Sequence, residues 1–516
     1  MRSIGPPEIL IIFATALLFV VGLAIDRRRS KFLLGTGSAF GGTKVSTNET
    51  TRLLSASGLL AGAGFRKKVL GHLDDQNRAV APEIGLDAAL VAQICQFAED
   101  REKRYAWFFL LIAILGAILA AVTDPTLAVV TAGLASALLY LKKSAQERGF
   151  GRRYFQRGNF DPTAVKERFP AHLGRLDSSA LSAAAQNLVV YQGFTPFIGA
   201  GISLGGWSFT VDVCNASDDR FPKLPAEPVR FEVEELYAVI KEAIRSLGLD
   251  CLTIEDYCFV NGAEIRDDQK ILPNIFGRPV QSLEETAADE FKKTSDPRIR
   301  HYQWIRAHDW GNELVMSFFL RCALRGNSLF VEINRFLLAP LSTECRAVDK
   351  LVRPRWKDHI AQLVKSVIAG PLYLIGSVFL VLAKLYEAVE TLFDAKNRRR
   401  RQEIEANPLY NYGAQTSLRQ MFTGDSFSHY FQKLDGDFYS KVLEHQILDA
   451  VVDFLDERNI DTSEIRERRT TILNNGVIVQ GGDVKAESLA VGAGATAMKS
   501  EGSHSRKKTT AKGAAA

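Results

Sequence analysis

Two long apolar stretches separated by a short turn constrain this chain more than any other feature of its sequence. Residues 106–122 contain no charged side chain, and residues 126–141 add only threonine, serine and one tyrosine to an apolar composition. As a helix, each would be about 25 Å long, enough to cross a thin bilayer core. Asp124-Pro125 between them favours a tight turn. The pattern predicts a transmembrane hairpin over residues 106–141; the alternative is a helical hairpin buried in a soluble core.

The residues that flank this hairpin predict its orientation. Basic side chains stand at both of its ends: Arg101, Lys103 and Arg104 before it, and Lys142 and Lys143 after it. Loops rich in lysine and arginine remain on the cytoplasmic side of a membrane, and aromatic residues concentrate at the interface. We therefore expect both ends of the hairpin to lie in the cytoplasm.

Two further segments are apolar enough to meet a membrane. Ile9–Ile25 is followed, not preceded, by a cluster of basic residues, which favours an uncleaved N-terminal anchor over a signal peptide. Ser366–Ala383 is the other segment, and Gly370-Pro371 lies within it. This segment either spans the membrane or forms a re-entrant or interfacial element, and its sequence leaves both alternatives open.

Composition and charge narrow the class of protein. Hydrophobic residues make up 47% of the chain and charged residues 24%, which is typical of a globular protein with a few membrane segments and not of a polytopic transporter. The net charge is +5, and the basic residues cluster beside apolar segments, which favours lipid head groups over nucleic acid as their partner. The six cysteines and eight histidines show no metal-binding spacing, so we expect no metal site and no cofactor.

The middle of the chain reads as alternating strands and one helix. Trp207–Val213 alternates strictly between apolar and polar residues, as expected for a strand with one buried face. Asn261-Gly262 follows an apolar run and favours a β-hairpin turn. Short turns between the later runs imply antiparallel neighbours. The predicted elements are strands at 188–191, 207–213, 257–260, 301–307, 314–324 and 328–337, and a helix at 234–247.

An amphipathic helix is predicted over Tyr439–Leu455, where apolar residues form one wide stripe. The stripe either packs inside a small helical domain or mediates self-association. Its candidate interaction residues are Leu443, Ile447, Leu448 and Val451.

Two short motifs suggest chemistry. Phe197–Ser203 resembles the glycine-rich loop with which sirtuin-type domains hold the phosphates of NAD, but it leads into a strand and not a helix, as a glycine-rich connection between two strands would. His308-Asp309, beside Trp310, has the composition of a base with an orienting carboxylate. Because no nucleophile is placed beside this pair by the sequence, we assign no catalytic residue.

The C-terminal stretch Asn474–Gly492 contains two β-prone runs broken by glycines, which are the ingredients of a stacked assembly. It resembles the C-terminal amyloid-type signalling motifs of bacterial conflict proteins. The alternative is a flexible tail or an edge strand docked on its own domain. The candidate interaction residues are Asn474, Asn475, Val477, Ile478, Val479 and Gln480.

Larger parts of the chain, 187–349 and 411–482, resemble a group of uncharacterised actinobacterial multi-domain membrane proteins. The residues that carry this resemblance are Tyr191-Gln192-Gly193, Gly205–Phe209, Trp310–Val315 and Asn474-Asn475-Gly476. The resemblance implies membrane attachment and no known activity, so no functional residues carry over from it.

The predicted fold class is a membrane protein with an N-terminal anchor helix, a transmembrane helical hairpin, a cytoplasmic α+β domain with an antiparallel meander sheet, and a C-terminal helical region with a short β-prone tail. The predicted segments are 1–31 (anchor), 32–105 (linker and amphipathic helix), 106–141 (hairpin), 146–350 (α+β domain), 351–405 (membrane or re-entrant helix with a basic flank), 406–470 (helical domain), 471–498 (β-prone tail) and 499–516 (disordered basic tail).

These observations favour a scaffold or signalling adaptor in a bacterial inner membrane, with its main domain in the cytoplasm. We expect the lipid bilayer, an unidentified protein and further copies of the same chain as partners, and no nucleic acid. A pore or transport component and a membrane-tethered NAD-binding enzyme are the alternatives. The sequence favours a role other than catalysis.

Overall fold

The computed structural model describes residues 48–122, 124–170, 186–216, 227–284, 297–351, 356–392 and 395–467. The predicted anchor, the β-prone tail and the final basic residues therefore lie outside the described residues, as do the candidate interaction residues from Asn474 to Gln480.

The described helices and strands divide into an N-terminal helical part and a mixed sheet covered by helices. The helices are α1 Glu49–Leu60, α2 Ala63–Leu73, α3 Ala88–Val122, α4 Pro125–Tyr154, α5 Pro162–Arg168, α6 Val233–Arg245, α7 Trp356–Leu392, α8 Ala395–Ala406, α9 Leu418–Met421 and α10 Tyr430–Glu457. The strands are β1 Leu188–Tyr191, β2 Ile202–Asp212, β3 Leu252–Asn261, β4 Ile299–Asp309, β5 Leu314–Arg325 and β6 Ser328–Leu338.

Helices α3 and α4 form the predicted hairpin. Asp124 caps α4, since its side chain accepts a hydrogen bond from the backbone N–H of Thr126 at 2.9 Å, and Pro125 occupies the first turn. Both helices extend beyond the apolar limbs into polar sequence, because their inner ends pack on other helices. Three of the described helices, α3, α4 and α7, are long and apolar enough to cross a membrane.

The inner ends of the hairpin belong to a packed helical core and not to a linker. Leu53, Ile94 and Phe155 are completely buried in one cluster that joins α1, α3 and the end of α4. Residues 49–73, within the segment predicted as a linker and amphipathic helix, thus form two packed helices. Small residues there serve close packing: a Cβ added to Gly58 would lie 3.0 Å from the sulfur of Cys95.

The six strands form one sheet in the order β1-β3-β4-β5-β6-β2. Strands β3 to β6 are an antiparallel meander and β2 pairs antiparallel with β6, but β1 pairs parallel with β3. The α+β class is confirmed, and the sheet is mixed and not purely antiparallel. Since β1 and β2 lie at opposite edges, residues 192–201 between them must cross one face of the sheet.

Most predicted strands agree with the structure to within a few residues, but the hairpin at Asn261-Gly262 is wrong. Strands β3 and β4 are neighbours, yet residues 262–298 separate them in the chain. Gly262 serves a different purpose there. Its N–H donates to the carbonyl of Tyr191 at 2.9 Å, and a Cβ at this position would lie 2.1 Å from the backbone nitrogen of Gly413.

Helices α6 and α10 cover one face of the sheet. Leu443, Ile447, Leu448 and Val451 of α10 are all completely buried there, in one cluster with side chains of β4, β5 and β6. The stripe that we predicted as an interaction face is thus occupied within the chain. It packs on the sheet and not in a separate helical domain, so residues 406–467 belong to the same domain as the strands.

The crossing segment 192–201 covers the opposite face. Phe197 stacks on Phe319 with ring centroids 4.2 Å apart and contacts Phe259 and Tyr302 edge-on. Ile84, from the segment that precedes the hairpin, is buried in the same cluster. The N-terminal helical part therefore reaches the sheet domain on this face.

Candidate functional site

The turn between β4 and β5 has an unusual backbone. Trp310, Gly311 and Asn312 have φ angles of 53°, 65° and 68°, so three consecutive residues lie in the left-handed region. A bulky side chain is rarely found there, because its Cβ approaches the following carbonyl oxygen. Such a conformation persists only where surrounding contacts hold it, and it is concentrated at sites that carry function.

Contacts with helix α10 hold the first residue of this turn. The backbone N–H of Trp310 donates to Asp309 at 2.6 Å, and its indole N–H donates to the carboxylate of Asp435 at 2.8 Å. The indole ring stacks on the ring of His429, 5.5 Å away. Tyr439 donates its hydroxyl hydrogen to the other oxygen of Asp309 at 3.0 Å. The turn is therefore fixed to the first turns of α10.

Contacts with the N-terminal helical part hold the last residue. The carbonyl oxygen of Asn312 accepts a hydrogen bond from the hydroxyl of Thr50 in α1 at 2.8 Å. A Cβ added to Gly85 would lie 2.6 Å from the Cβ of Asn312, so only glycine allows this approach. The turn thus connects α1 and the start of the hairpin to the sheet and α10.

His308 and Asp309 do not form a base with its orienting carboxylate. Successive side chains of a strand point to opposite faces of the sheet, and here Asp309 bonds to Tyr439 while the Nδ1 of His308 lies 3.1 Å from the side-chain oxygen of Asn312. Burial, assisted by the charge of Arg306, lowers the pKa of His308 to about 4, so the ring is neutral at pH 7.

A partly buried ionic cluster lies directly behind the turn, and we call it the junction: Glu83, Glu313, Arg346 and Arg419. Arg419 is completely buried and donates to the carbonyl oxygens of Glu313 at 3.0 Å and Ala339 at 2.8 Å. Arg346 forms an ion pair with the carboxylate of Glu313. Burial lowers the pKa of Arg419 to about 10, so the guanidinium stays charged at neutral pH.

Glu83 completes the junction from the N-terminal side. Its two carboxylate oxygens accept the backbone N–H groups of Leu418 at 2.6 Å and Arg419 at 3.0 Å. Burial raises the pKa of Glu83 to about 7, while these hydrogen bonds act in the opposite direction. The carboxylate is therefore a group that changes charge near neutral pH at the contact between the helical part and the sheet domain.

Arg52 in α1 ties the same two parts together a short distance away. Its side chain is completely buried and donates to Asp349 at 2.8 Å and to the carbonyl oxygen of Phe155 at 2.7 Å. The two remaining nitrogens, Nη2 and Nε, both bond to the carboxylate of Glu49. Because an unpaired buried charge is very costly, these contacts fix the position of α1 against the end of α4 and the segment after β6.

The glycines of the segment 199–201 serve contacts within the chain. Gly199 and Gly201 have φ angles of 88° and 94°. A Cβ added to Gly201 would lie 2.2 Å from the carbonyl oxygen of Leu337, and the N–H of Gly199 donates to Gln420 at 3.0 Å. The segment runs into β2 and not into a helix. Backbone approach to the neighbouring strand accounts for these glycines without a nucleotide.

The structure unites some of the sequence motifs and reveals residues that the sequence did not point to. Trp310-Gly311-Asn312 lies at the centre of the site, whereas Glu83 and Arg419 stood in no recognisable motif. Among the described residues, no group of three or more His, Cys, Asp or Glu side chains is arranged to hold a metal ion. The contacts of the turn and of the junction make the site a structural connection between two parts of the molecule.

Comparison with protein families assigns the larger part of the chain. The AbeC-like domain matches residues 206–485, which is more than half of the chain. The chain belongs to the AbeC-like family. No curated protein and no solved structure matches it. The AbeC-like domain contains the left-handed turn, Glu313, Arg419 and helix α7, whereas the hairpin, Arg52 and Glu83 precede it. The junction thus joins the AbeC-like domain to the helices that come before it.

Proposed function

We propose that this protein is a membrane-anchored scaffold or signalling adaptor that presents its AbeC-like domain at the surface of a bacterial inner membrane. The hairpin anchors the chain, the junction transmits its position to the domain, and the domain binds a protein partner. The observation that carries this proposal is the outer surface of the hairpin. Its large apolar side chains are exposed over its whole length: Leu111, Ile114, Ile118, Val129, Val130 and Leu134.

An exposed apolar surface of this extent is the kind that a bilayer covers. Soluble monomers rarely leave large contiguous apolar patches open. Below this surface, the inner ends of the hairpin carry basic side chains that include Arg148, Arg152 and Arg153. Basic residues that flank a membrane helix favour the cytoplasmic side. Their place at the inner ends of the hairpin supports a cytoplasmic position for the AbeC-like domain.

The junction supports a scaffold in which the domain has a fixed orientation. Inter-domain contacts that are small and polar permit relative motion, but here the completely buried side chain of Arg52 bonds to Phe155 on one part and to Asp349 on the other. Glu83 adds a second link by accepting two backbone N–H groups of α9. Separation of the parts would remove Asp349 from the buried guanidinium of Arg52, which is destabilising because a buried charge needs its partners. A domain held in this way presents the same surface to every partner.

Self-association through the tail completes the proposal. The face of α10 is buried, so it offers no surface for a second copy, and the tail from Asn474 to Gln480 becomes the candidate. Attachment to a membrane raises local concentration and makes weak stacking contacts sufficient. The likeness to amyloid-type signalling motifs supports a role in assembly.

Chemical crosslinking of the full chain in membranes tests this proposal. We expect the wild-type chain to form oligomers and a chain ending at Thr470 to remain monomeric. Val479→Pro should behave like the truncated chain, because proline removes a backbone donor from any strand ladder. Ala511→Pro, outside the motif, is the matched control and should leave the oligomers intact. A wild-type chain that crosslinks no better than the truncated one would contradict the assembly role.

A further inference from the structure

Helix α7 lies between two segments of one folded domain. Before it, the carbonyl oxygen of Leu351 accepts a hydrogen bond from Gln156 at 2.8 Å, and a Cβ added to Gly151 would touch the side chain of Leu351. After it, Ile404 in α8 is completely buried in a cluster with side chains of β1 and β3. The segment before α7 therefore packs on the end of α4, and the segment after it packs on the sheet. Both belong to the same folded body.

The rest of the domain requires the same arrangement. Helix α10 follows α7 in the chain and covers the sheet whose strands all precede α7. Ala414, also after α7, bridges to Tyr191 of β1. A bilayer between these segments would separate α10 from the sheet and expose the whole core. The two ends of α7 must consequently lie on one side of the membrane.

Chain length leads to the same conclusion. The link from Leu392 to Ala395 spans at most about 11 Å, and α8 adds about 14 Å up to Ile404. The end of α7 thus lies within about 25 Å of the domain core. The hydrocarbon core of a bilayer alone is about 30 Å thick, and the polar regions increase this to about 40–45 Å. The chain is too short to return from the far side.

The contacts of α7 with the hairpin show how it lies. Gln362 bonds to Ser144 and to Arg148, each at 3.3 Å. Tyr373 follows about three turns later, or about 16 Å along the helix. Yet its ring lies 4.6 Å from the ammonium of Lys143 and 5.8 Å from the ring of Tyr140.

These contacts lie within residues 137–148 of α4, which we call the neck of the hairpin. Helix α7 meets α3 there as well, since the hydroxyl of Tyr373 bonds to Glu102 and its ring lies 5.1 Å from the ring of Phe109. Helix α7 therefore packs across both helices of the hairpin at this neck. The crossing is close: a Cβ added to Gly370 would lie 2.6 Å from the backbone of Ala137.

The face of α7 that points away from the hairpin is apolar and exposed. Its exposed side chains include Leu363, Val367, Ile368, Leu372, Ile375, Phe379 and Leu382. Trp356 and Tyr386 are exposed near the two ends, and aromatic residues of this kind anchor helices at the level of lipid head groups. Because α7 packs directly on the hairpin, the same lipid meets the exposed apolar faces of both.

We propose that α7 does not span the bilayer but lies in its interface, across the neck of the hairpin, with its outer face inserted into the leaflet next to the AbeC-like domain. The ligand of this face is a phospholipid monolayer. The inference rests on the membrane attachment proposed above. It places three parts on one side of the membrane: the inner ends of the hairpin, the strands that precede α7, and residues 395–467 that follow it.

Labelling of single cysteines with a membrane-impermeant maleimide in sealed vesicles of known orientation tests this proposal. In a background carrying Cys214→Ser and Cys251→Ser, the other four native cysteines are buried. Three exposed positions then report on topology: Asp250→Cys before α7, Gln402→Cys after it and Thr126→Cys at the tip of the hairpin. We expect the first two to react from the same side and Thr126→Cys to react only from the opposite side.

The alternative results are distinct. Reaction of Gln402→Cys from the same side as Thr126→Cys would overturn the inference and leave the membrane anchor intact. Reaction of all three positions from one side would show that the hairpin itself does not span, which would contradict the proposed anchor and, with it, the position of α7. A Gln402→Ser variant, which has no cysteine at position 402, measures the non-specific labelling to be subtracted from that of Gln402→Cys.

Discussion

The hairpin and helix α7 are alike in length and apolar composition, but the chain returns from them in different ways. Helix α3 leaves the domain and α4 brings the chain back across the same distance, so two spans leave both ends on one side. Helix α7 has no such returning partner, because α8 after it is short and rich in arginine. Whether an apolar helix spans a membrane thus depends on the chain connections at its two ends as much as on its own sequence.

The two regions also differ in how firmly they are attached. The hairpin packs on α1 and follows the segment with Glu83, and Arg52 and Glu83 tie these elements to the sheet domain. Helix α7 meets the hairpin through Gln362, Gly370 and Tyr373. We therefore expect disruption of the junction to affect stability more than any change on the outer face of α7.

The largest effect should come from Arg419→Met. This change removes the buried guanidinium and leaves the carbonyl oxygens of Glu313 and Ala339 without their donor, which should lower the free energy of unfolding by about 3–5 kcal/mol. Urea unfolding of the full chain in detergent, followed by tryptophan fluorescence, measures it. Arg466→Met, at a more exposed ion pair with Asp456, is the control and should cost less than about 1 kcal/mol. Equal midpoints for the two variants would show that the buried contacts of Arg419 do not stabilise the fold.

Arginine substitutions compare the hairpin and α7 directly. At Ile114, in the middle of an apolar limb, arginine should cost about 2.5–3.5 kcal/mol of insertion and reduce the protein retained in alkali-washed membranes. At Ile368, on the outer face of α7, the charge can reach the head groups, so retention should remain close to wild type. A loss as large for Ile368→Arg as for Ile114→Arg would indicate that α7 spans.

Stability should depend on pH through Glu83. Its pKa rises from 4.5 in the unfolded chain to about 7 in the folded one, so the folded state binds more protons between these values. The contribution of Glu83 to stability is then fully present below pH 4.5 and is lost as the pH rises to about 7. We expect the wild type to lose about 1–3 kcal/mol more than Glu83→Gln between pH 5 and pH 8, measured by unfolding at each pH. Parallel curves for the two proteins would contradict this role.

A smaller effect should appear at the crossing of α7 with the hairpin. Gly370→Ala places a methyl group against the backbone of Ala137 and should destabilise the contact by about 1–2 kcal/mol. Gly376 has no atom within 4 Å of the added Cβ, so Gly376→Ala should be neutral or slightly stabilising through its helix propensity. Thermal unfolding in detergent measures both. If α7 does not contact Ala137 closely, the two variants should unfold at the same temperature.

The sequence predicted the elements that depend on local pattern. The hairpin limbs, strands β1, β5 and β6 and the stripe of α10 all follow from periodicity and composition, which report the immediate neighbours of a residue. Asn261-Gly262 was misleading because the same dipeptide suits a tight turn and, as here, a close contact between backbones. The parallel pairing of β1 could not be read from so short a strand.

The candidate site could not be predicted because its members meet only through the fold. Glu83 and Arg419 are separated by almost the whole of the sheet domain in sequence, and neither lies in a motif. Trp310-Gly311-Asn312 signalled a turn, but its left-handed backbone depends on Thr50, Gly85 and Asp435, which come from three other segments. The position of α7 likewise depends on the connection to α8 and the domain core, since the apolar run is the same for a span and for an interfacial helix.

The depth of α7 in the bilayer is the most direct test of its interfacial position. A fluorophore is attached to Ile375→Cys, on the outer face of α7, and separately to Ile114→Cys, in the middle of the hairpin. Each is then quenched by lipids that carry a quencher near the head group or near the end of the acyl chain. We predict that the head-group quencher acts more strongly at position 375 and the acyl-chain quencher at position 114. If both positions are quenched most strongly from the bilayer centre, α7 spans the membrane and its assignment to the interface is wrong.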